Sequence, residues 1–245
     1  MSHLDKCIVL DLDETLIHTY VKKEIIDSSK GYNYLDQNVA MRGRLYRLDS
    51  GNGELSDLWS LKRPGTDMFI RYVMNNFGMV IVWSAGTKEY VERIVEWIFG
   101  SMGYYPDKVY SRDYCDVIPS GTLKGSYVKP ITKLCNEPDL KGRISLSNIL
   151  FVDDNTTSTS YNPANAITIP KFHPDPSMKT MLLEDDDALY KIIAWLESGK
   201  VSGTDVRIMD KSIMTIFSSK LKTGFLVDSS KLSSEAQNSI NILTY

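Results

Sequence analysis

The sequence predicts an α/β fold: a parallel β-sheet flanked by helices, with a small β insertion after the first strand and a helical carboxyl-terminal extension. Two observations carry that prediction. Short apolar runs rich in β-branched residues stop abruptly at acidic or hydroxyl residues, the pattern of buried parallel strands. Stretches with apolar residues at helical spacing lie between those runs, so strands alternate with helices. With 245 residues, 42% of them hydrophobic, the chain can bury a sizeable core, which excludes a disordered or fibrous protein.

Lys6 to Leu12 reads as the first strand and puts Asp11 at its carboxyl end. Tyr20 to Trp59 breaks the rhythm: it is rich in Tyr, Gly, Asn and Asp and has only short apolar alternations, which predicts an inserted hairpin or flap over 20–60. Thr66 to Asn76 is helical. Met79 to Trp83 is a second strand, stopped by Ser84-Ala85-Gly86-Thr87. After it, Val91, Ile94, Val95 and Ile98 mark a helix from Tyr90 to Phe99. Asn148 to Val152 is a third strand ending at Asp153-Asp154-Asn155, and Ala166 to Ile169 a fourth beyond the turn at Asn162-Pro163. The acidic run Glu184 to Asp187 reads as a helix start favoured by the dipole, ahead of an apolar-periodic stretch through Trp195. A calcium loop would need a glycine that this run lacks. Residues 1–199 are expected to form one domain. Residues 200–245 form an extension with one amphipathic candidate, Lys211 to Lys222, before a Ser-rich end.

A formal net charge of −3 and a pI near 5.7 give no whole-molecule case for nucleic-acid binding, so an anionic ligand must be held locally. Cys7, Cys115 and Cys135 show no C-x-x-C spacing, and neither a disulfide framework nor a zinc knuckle is indicated. No stretch approaches the ~18 apolar residues of a membrane span. The expectation is a soluble protein of nucleus or cytosol, neither secreted nor membrane-bound.

In parallel sheets ligands gather at the carboxyl ends of the strands. Asp11 and Asp13, two apart at an extended strand end, point the same way and suit a division of labour between nucleophile and general acid. The alternative is that Asp13-Glu14-Thr15 merely caps a turn. Asp153 and Asp154 end another strand, and an oxygen-only cluster of three or four carboxylates calls for a cation such as magnesium, although Asp153-Asp154-Asn155 also suits an Asx turn. Ser84 and Thr87 stand where a helix start and hydroxyl donors receive phosphate oxygens, or where they cap the helix. Lys129 offers a point charge for a phosphoryl group in transfer.

Val9-Leu10-Asp11-Leu12-Asp13-Glu14-Thr15-Leu16-Ile17-His18 resembles the first motif of the haloacid-dehalogenase-type phosphatases. Leu61-Lys62-Arg63-Pro64-Gly65-Thr66-Asp67-Met68-Phe69 is similar to a segment of one branch, the FCP/SCP or NLI-interacting-factor-like phosphatases of the RNA polymerase II carboxy-terminal domain. Val82 to Tyr90, Arg112 to Cys115, Tyr127 to Lys129, Phe151 to Asn155 and Asn165 to Ile167 continue the series in order, so the resemblance covers roughly Lys6 to Ser198. Ser84 stands where many relatives have Thr.

The resemblance implies a Rossmann-like fold and a magnesium-dependent phosphatase acting through an aspartyl phosphate. Asp11 would attack phosphorus, and Asp13 would protonate the leaving oxygen and later activate water. Ser84 and Lys129 would bind the phosphoryl group. Magnesium would be held by Asp11, the Asp13 carbonyl and Asp154, with Thr15 and Asp153 in support and Asp153 orienting Lys129. The resemblance also implies that the insertion forms a groove for an extended phosphopeptide. There Tyr32, Tyr34, Tyr46 and Trp59 would stack on a proline, unless they close a small core of their own. Arg63, Thr87 and Arg112 are expected substrate contacts, and Arg42, Arg44, Arg47 and Arg63 would meet additional phosphates unless they are simply solvated surface charges. Three classes remain open: a phosphoprotein phosphatase of the polymerase-tail type, a phosphatase of small esters or nucleic-acid ends, and a phosphopeptide-binding module without turnover.

Overall fold

The computed structural model describes residues 3–21, 45–49, 55–119, 126–174, 186–198, 201, 203 and 205–211. At its centre is a five-stranded sheet built from β1 (His3–Leu10), β5 (Phe77–Trp83), β6 (Lys108–Tyr110), β9 (Ile149–Asp153) and β10 (Ala166–Thr168). The strand order is β10-β9-β1-β5-β6 and every neighbouring pair is parallel. Where β1 and β9 pair with each other, Cys7 to Leu10 against Ile149 to Val152, both are apolar throughout because both faces of the sheet are covered.

Period-two alternation divides each strand between two cores. Ile8, Leu10, Val80, Val82, Leu150 and Val152 face one cluster, shared with α1 (Thr66–Asn76), α2 (Lys88–Ile98) and α4 (Ala188–Glu197). Cys7, Val9, Met79, Ile81, Trp83, Ile149 and Phe151 face the other, covered by α3 (Ile131–Asn136) and by Leu140 and Ile144 of the following loop. In α2 the buried residues are Val91, Ile94, Val95 and Ile98, the stripe that its spacing predicts. Helix α1 starts after Gly65, whose φ of 82° is left-handed; a Cβ there would also lie 2.9 Å from the Tyr190 ring of α4, so glycine answers both demands.

The expected insertion is a three-stranded antiparallel sheet, order β2-β4-β3, from β2 (Ile17–Val21), β3 (Leu45–Asp49) and β4 (Leu55–Lys62). Its roots are zipped together, with Ile17 opposite Lys62 and Val21 opposite Leu58. A short hairpin, β7 (Asp116–Ile118) with β8 (Ser126–Val128), and the edge strand β6 have no counterpart in the sequence reading. Each is only three residues long, too short for a periodicity signal.

Residues 200–245 are read from the sequence as an extension that either docks on the 1–199 domain or recruits a partner; of its described residues, Val201 and Val206 are fully buried in the larger core, and the Val206 amide donates to the Ser147 carbonyl at 2.9 Å. The Trp195 indole N–H reaches the Asp210 carbonyl at 3.0 Å. The expected helix from Lys211 to Lys222 lies outside the described residues beyond Lys211. Cys7, Cys115 and Cys135 are free thiols. No described helix is long and apolar enough to cross a membrane.

Candidate active site

The carboxyl ends of β1, β5 and β9 converge on one acidic centre. Strand β1 ends at Leu10, but the Asp11 amide still donates to the Val152 carbonyl of β9 at 3.0 Å, which fixes Asp11 beside that strand's end. The chain then turns sharply. The amides of Thr15, Leu16 and Ile17 all point at the Leu12 carbonyl, at 3.2, 2.8 and 3.1 Å, and Glu14 takes a left-handed φ of 57°. For a non-glycine residue that conformation costs roughly 1–2 kcal/mol. The turn follows Asp13, and Asp11 and Asp13 each meet their own set of partners.

Asp11 faces a cation. The Lys129 ammonium, which follows β8, donates to Asp11 Oδ1 at 2.6 Å and to Asp153 Oδ2 at 2.8 Å, and all three side chains are buried. Withdrawing an ammonium from water costs several kcal/mol, and only close, well-aligned carboxylates offset that cost. Burial opposes the charge on Lys129, but Asp11 and Asp153 outweigh it and hold its pKa above the ordinary lysine value. Asp153 is fully engaged: Oδ1 accepts from the Asn155 amide at 2.7 Å, and Oδ2 also accepts from Ser158 Oγ at 2.6 Å. The Ser158 carbonyl in turn accepts the Lys129 amide at 2.7 Å.

Asp11, Asp153 and Asp154 each offer a carboxylate oxygen within 4.8 Å of one another. Three carboxylates against the single Lys129 ammonium leave two negative charges in excess, which a divalent cation would neutralise. Without such a cation, burial raises Asp11 well above the ordinary carboxylate range, against the pull of Lys129. Burial, then Asp153, pushes Asp154 up to about 6. An oxygen-only, partly open donor set is the kind that magnesium takes. Thr15 Oγ1 lies 3.2 Å from both Asp11 Oδ2 and Asp154 Oδ1 and accepts the Asp154 amide at 3.1 Å, which ties the two acidic strand ends together.

Asp13 faces hydroxyls instead. The Tyr90 phenol of α2 donates to Oδ1, and buried Ser84 Oγ lies 3.4 Å from Oδ2 while accepting the Gly86 amide at 3.0 Å. Burial raises the Asp13 pKa, and the hydrogen bond from Tyr90 pulls the other way. Tyr90 OH is also 2.6 Å from Thr19 Oγ1 of β2, so it bridges the sheet's loop and the insertion. Its ring passes so close to Gly86 that a Cβ there would lie 2.6 Å from it. Tyr90 escaped the sequence reading because a tyrosine on an amphipathic helix looks like packing. Ser158 escaped because it lies five residues past Asp153 in a polar loop, and only the Asn155 turn signal pointed there.

The residues expected at the substrate entrance are placed variously. Arg63 is buried and its guanidinium is occupied: Nε donates to Asp186 at 2.7 Å, Nη1 to the Thr15 carbonyl at 3.1 Å and Nη2 to the Pro170 carbonyl at 2.8 Å. These bonds tie the acidic loop to Asp186 and to the segment at Pro170. Trp59 is buried in the insertion sheet, opposite Tyr20, which fits the reading of a small core and not a stacking platform. Tyr46 and Arg47 lie on β3, whose side chains are outside the described set, as are Tyr32, Tyr34, Arg42 and Arg44 altogether. Thr87 is exposed at the start of α2 and makes no side-chain cap. Arg112 donates from Nε to the Ala85 carbonyl at 2.8 Å and stacks over the Tyr127 ring at 5.2 Å, near the β5 loop.

Comparison with known proteins agrees with this architecture. Nuclear envelope morphology protein 1 of Saccharomyces cerevisiae is 28% identical over 205 residues, which cover 82% of this chain and 40% of that protein. The human CTD small phosphatase-like protein is 26% identical over 170 residues, 69% of this chain and 50% of that one. The chain thus spans half or less of these curated relatives. The structure of Fcp1, described as an essential RNA polymerase II CTD phosphatase, superposes with a TM-score of 0.50 at 17% identity, covering 99% of this chain and 62% of that one; at that identity the likeness is one of fold. The family described as NLI interacting factor-like phosphatase matches residues 6–207, and this chain belongs to it.

Proposed function

We propose that the chain is a magnesium-dependent phosphoprotein phosphatase that works through an aspartyl phosphate on Asp11. The observation that supports this reading most is the Lys129 ammonium held between Asp11 and Asp153 at 2.6 and 2.8 Å, with Asp154 beside them. An Asp11 oxygen attacks phosphorus while the ester P–O bond breaks, and Asp13, protonated at the start, gives its proton to the leaving serine or threonine oxygen. The resulting Asp13 carboxylate then takes a proton from water as that water attacks the aspartyl phosphate, releasing phosphate and restoring both carboxyl groups. The raised Asp13 pKa suits the first of these duties.

Lys129 and Ser84 bind phosphoryl oxygens, and Asp153 keeps Lys129 aimed. The Asp11 carboxylate, the Asp13 carbonyl and the less engaged Asp154 would hold magnesium, which would supply charge neutralisation for the incoming phosphate. Phosphoproteins are the substrate class, with the polymerase tail as first candidate and a nuclear or cytosolic setting.

The test is phosphate release from a generic aryl phosphate and from phosphoserine peptides, polymerase-tail repeats included, with and without magnesium. Asp11→Asn and Asp13→Asn should both fall by about 10⁴-fold or more. Turnover of the peptides well above the aryl ester is the expected result. Ester-only turnover would move the assignment to small phosphate esters, and an inactive, folded, magnesium-loaded wild type would leave a binding module.

A further inference from the structure

Asp13 stands at the end of a row of hydroxyls that begins in the insertion. Ser60 of β4 and Thr19 of β2 are opposite each other in the antiparallel pairing, and their side-chain oxygens lie 2.8 Å apart. Thr19 Oγ1 is 2.6 Å from the Tyr90 phenol of α2, and that phenol reaches Asp13 Oδ1. Ser60 is fully buried, and Thr19 and Tyr90 are half-buried. The row therefore crosses from the insertion sheet to the acidic loop through three side chains on three separate elements.

The row has a direction. Each hydroxyl carries one hydrogen and can both give and accept. A carboxyl oxygen without a proton can only accept, so the Tyr90 hydrogen points at Asp13 Oδ1. The phenol oxygen then takes its other bond from Thr19, and Thr19 takes one from Ser60. Reversal would require all three hydroxyls to turn together. Oδ1 is thus an acceptor already filled, and the open position of the carboxyl group is Oδ2, the oxygen 3.4 Å from Ser84 Oγ.

We propose that Thr19 and Ser60 are positioning residues for the general acid: through Tyr90 they fill Asp13 Oδ1 and so keep the acid's proton on Oδ2, on the side of Ser84 and the incoming phosphoryl group. This rests on the role given to Asp13 under the proposed function. As the ester P–O bond breaks, the Oδ2–H bond breaks and an O–H bond forms on the leaving serine or threonine oxygen, while the electron pair stays on Asp13. Tyr90, Thr19 and Ser60 keep their own protons throughout. A hydrogen bond to a carboxylate is stronger than one to a neutral carboxyl group, so the phenol also stabilises the charge that the departing proton leaves behind. The root of the insertion in this way bears on bond cleavage itself.

The test compares kcat/KM for 4-nitrophenyl phosphate, whose leaving group departs without a proton, with kcat/KM for phenyl phosphate, whose leaving group needs one, in the full chain with magnesium. Thr19→Val keeps the side-chain volume and removes the hydroxyl. It should lower the value for phenyl phosphate by about fivefold more than the value for the nitrophenyl ester, Ser60→Ala should show the same bias more weakly, and Thr19→Ser should return the wild-type ratio. Asp13→Asn should show the bias at its largest. An equal fall on both esters in Thr19→Val would mean that the pair shapes the site without directing a proton, and overturns the proposal; an unchanged ratio with unchanged rates does so too. Absence of any bias in Asp13→Asn would instead remove Asp13 as the acid, and the parent reading would fall together with this one.

Discussion

The two halves of the acidic centre are built from the same residue type and made unlike by their neighbours. On the β9 side, Asp11 lies against an ammonium and two further carboxylates. On the β5 side, Asp13 lies against a phenol and a serine hydroxyl. One carboxyl group is surrounded by full charges and the other by neutral donors, which is how two aspartates in one loop can be given different protonation states. Identity of side chain therefore says little about role here; the partners delivered by β8, β9 and α2 decide it.

The largest test of that contrast removes the charge. Lys129→Met leaves buried carboxylates uncompensated and should lower the unfolding free energy of the metal-free protein by about 3–5 kcal/mol in urea titrations. A change below 1 kcal/mol would mean that the carboxylates take up protons at no cost and that the charged half is not charged.

The next removes one expected metal ligand. Magnesium at a hundred times its dissociation constant should stabilise wild type by about 2.7 kcal/mol in thermal melts, and Asp154→Asn should lose most of that gain. Equal stabilisation of both would take Asp154 out of the cation site.

On the neutral half, Tyr90→Phe should lower kcat by about tenfold, or 1.4 kcal/mol, with KM nearly unchanged, since the phenol touches Asp13 and not the charged side. A KM effect instead would make Tyr90 a substrate contact.

The smallest effect lies at the opposite end of β1 and serves as a control. Burial lowers the pKa of His3, so the unfolded chain takes up a proton below about 6.5 that the folded one refuses. That contribution to stability is present above the unfolded pKa and is lost as pH falls through 6.5 toward the folded value, by up to ~1.4 kcal/mol per pH unit. His3→Gln should flatten the fall in urea midpoint between neutral pH and the mildly acidic range. If it does not, the acid sensitivity belongs to the active centre.

Much of this was legible in the sequence where a signal is local. The apolar runs around Val9, Ile81 and Leu150 became the central strands because burial on both faces demands unbroken hydrophobicity. Their polar stops, Asp11, Ser84 and Asp153, came together because parallel strands end on the same edge. What stayed hidden depends on contacts distant along the chain. Arg63 looks like a free cation until Asp186, 123 residues later, and the Pro170 carbonyl occupy it. Tyr90 looks like a packing residue until Asp13 accepts its phenol hydrogen. Val201 and Val206 look like the start of a tail because two apolar residues in a polar stretch carry no periodicity, and only the larger core gives them a place.

The zipped roots of the insertion have a further consequence. Since β2 and β4 hold the ends of this excursion side by side, from Ile17 against Lys62 to Val21 against Leu58, the loop is closed at its base, and β3 adds to the same sheet on the other side of β4. Doubling the length of such a closed loop costs only about 0.6 kcal/mol in closure entropy. Residues can therefore be added between Val21 and Leu45 at small cost in closure, while the ends of the excursion stay fixed at Ile17 and Lys62.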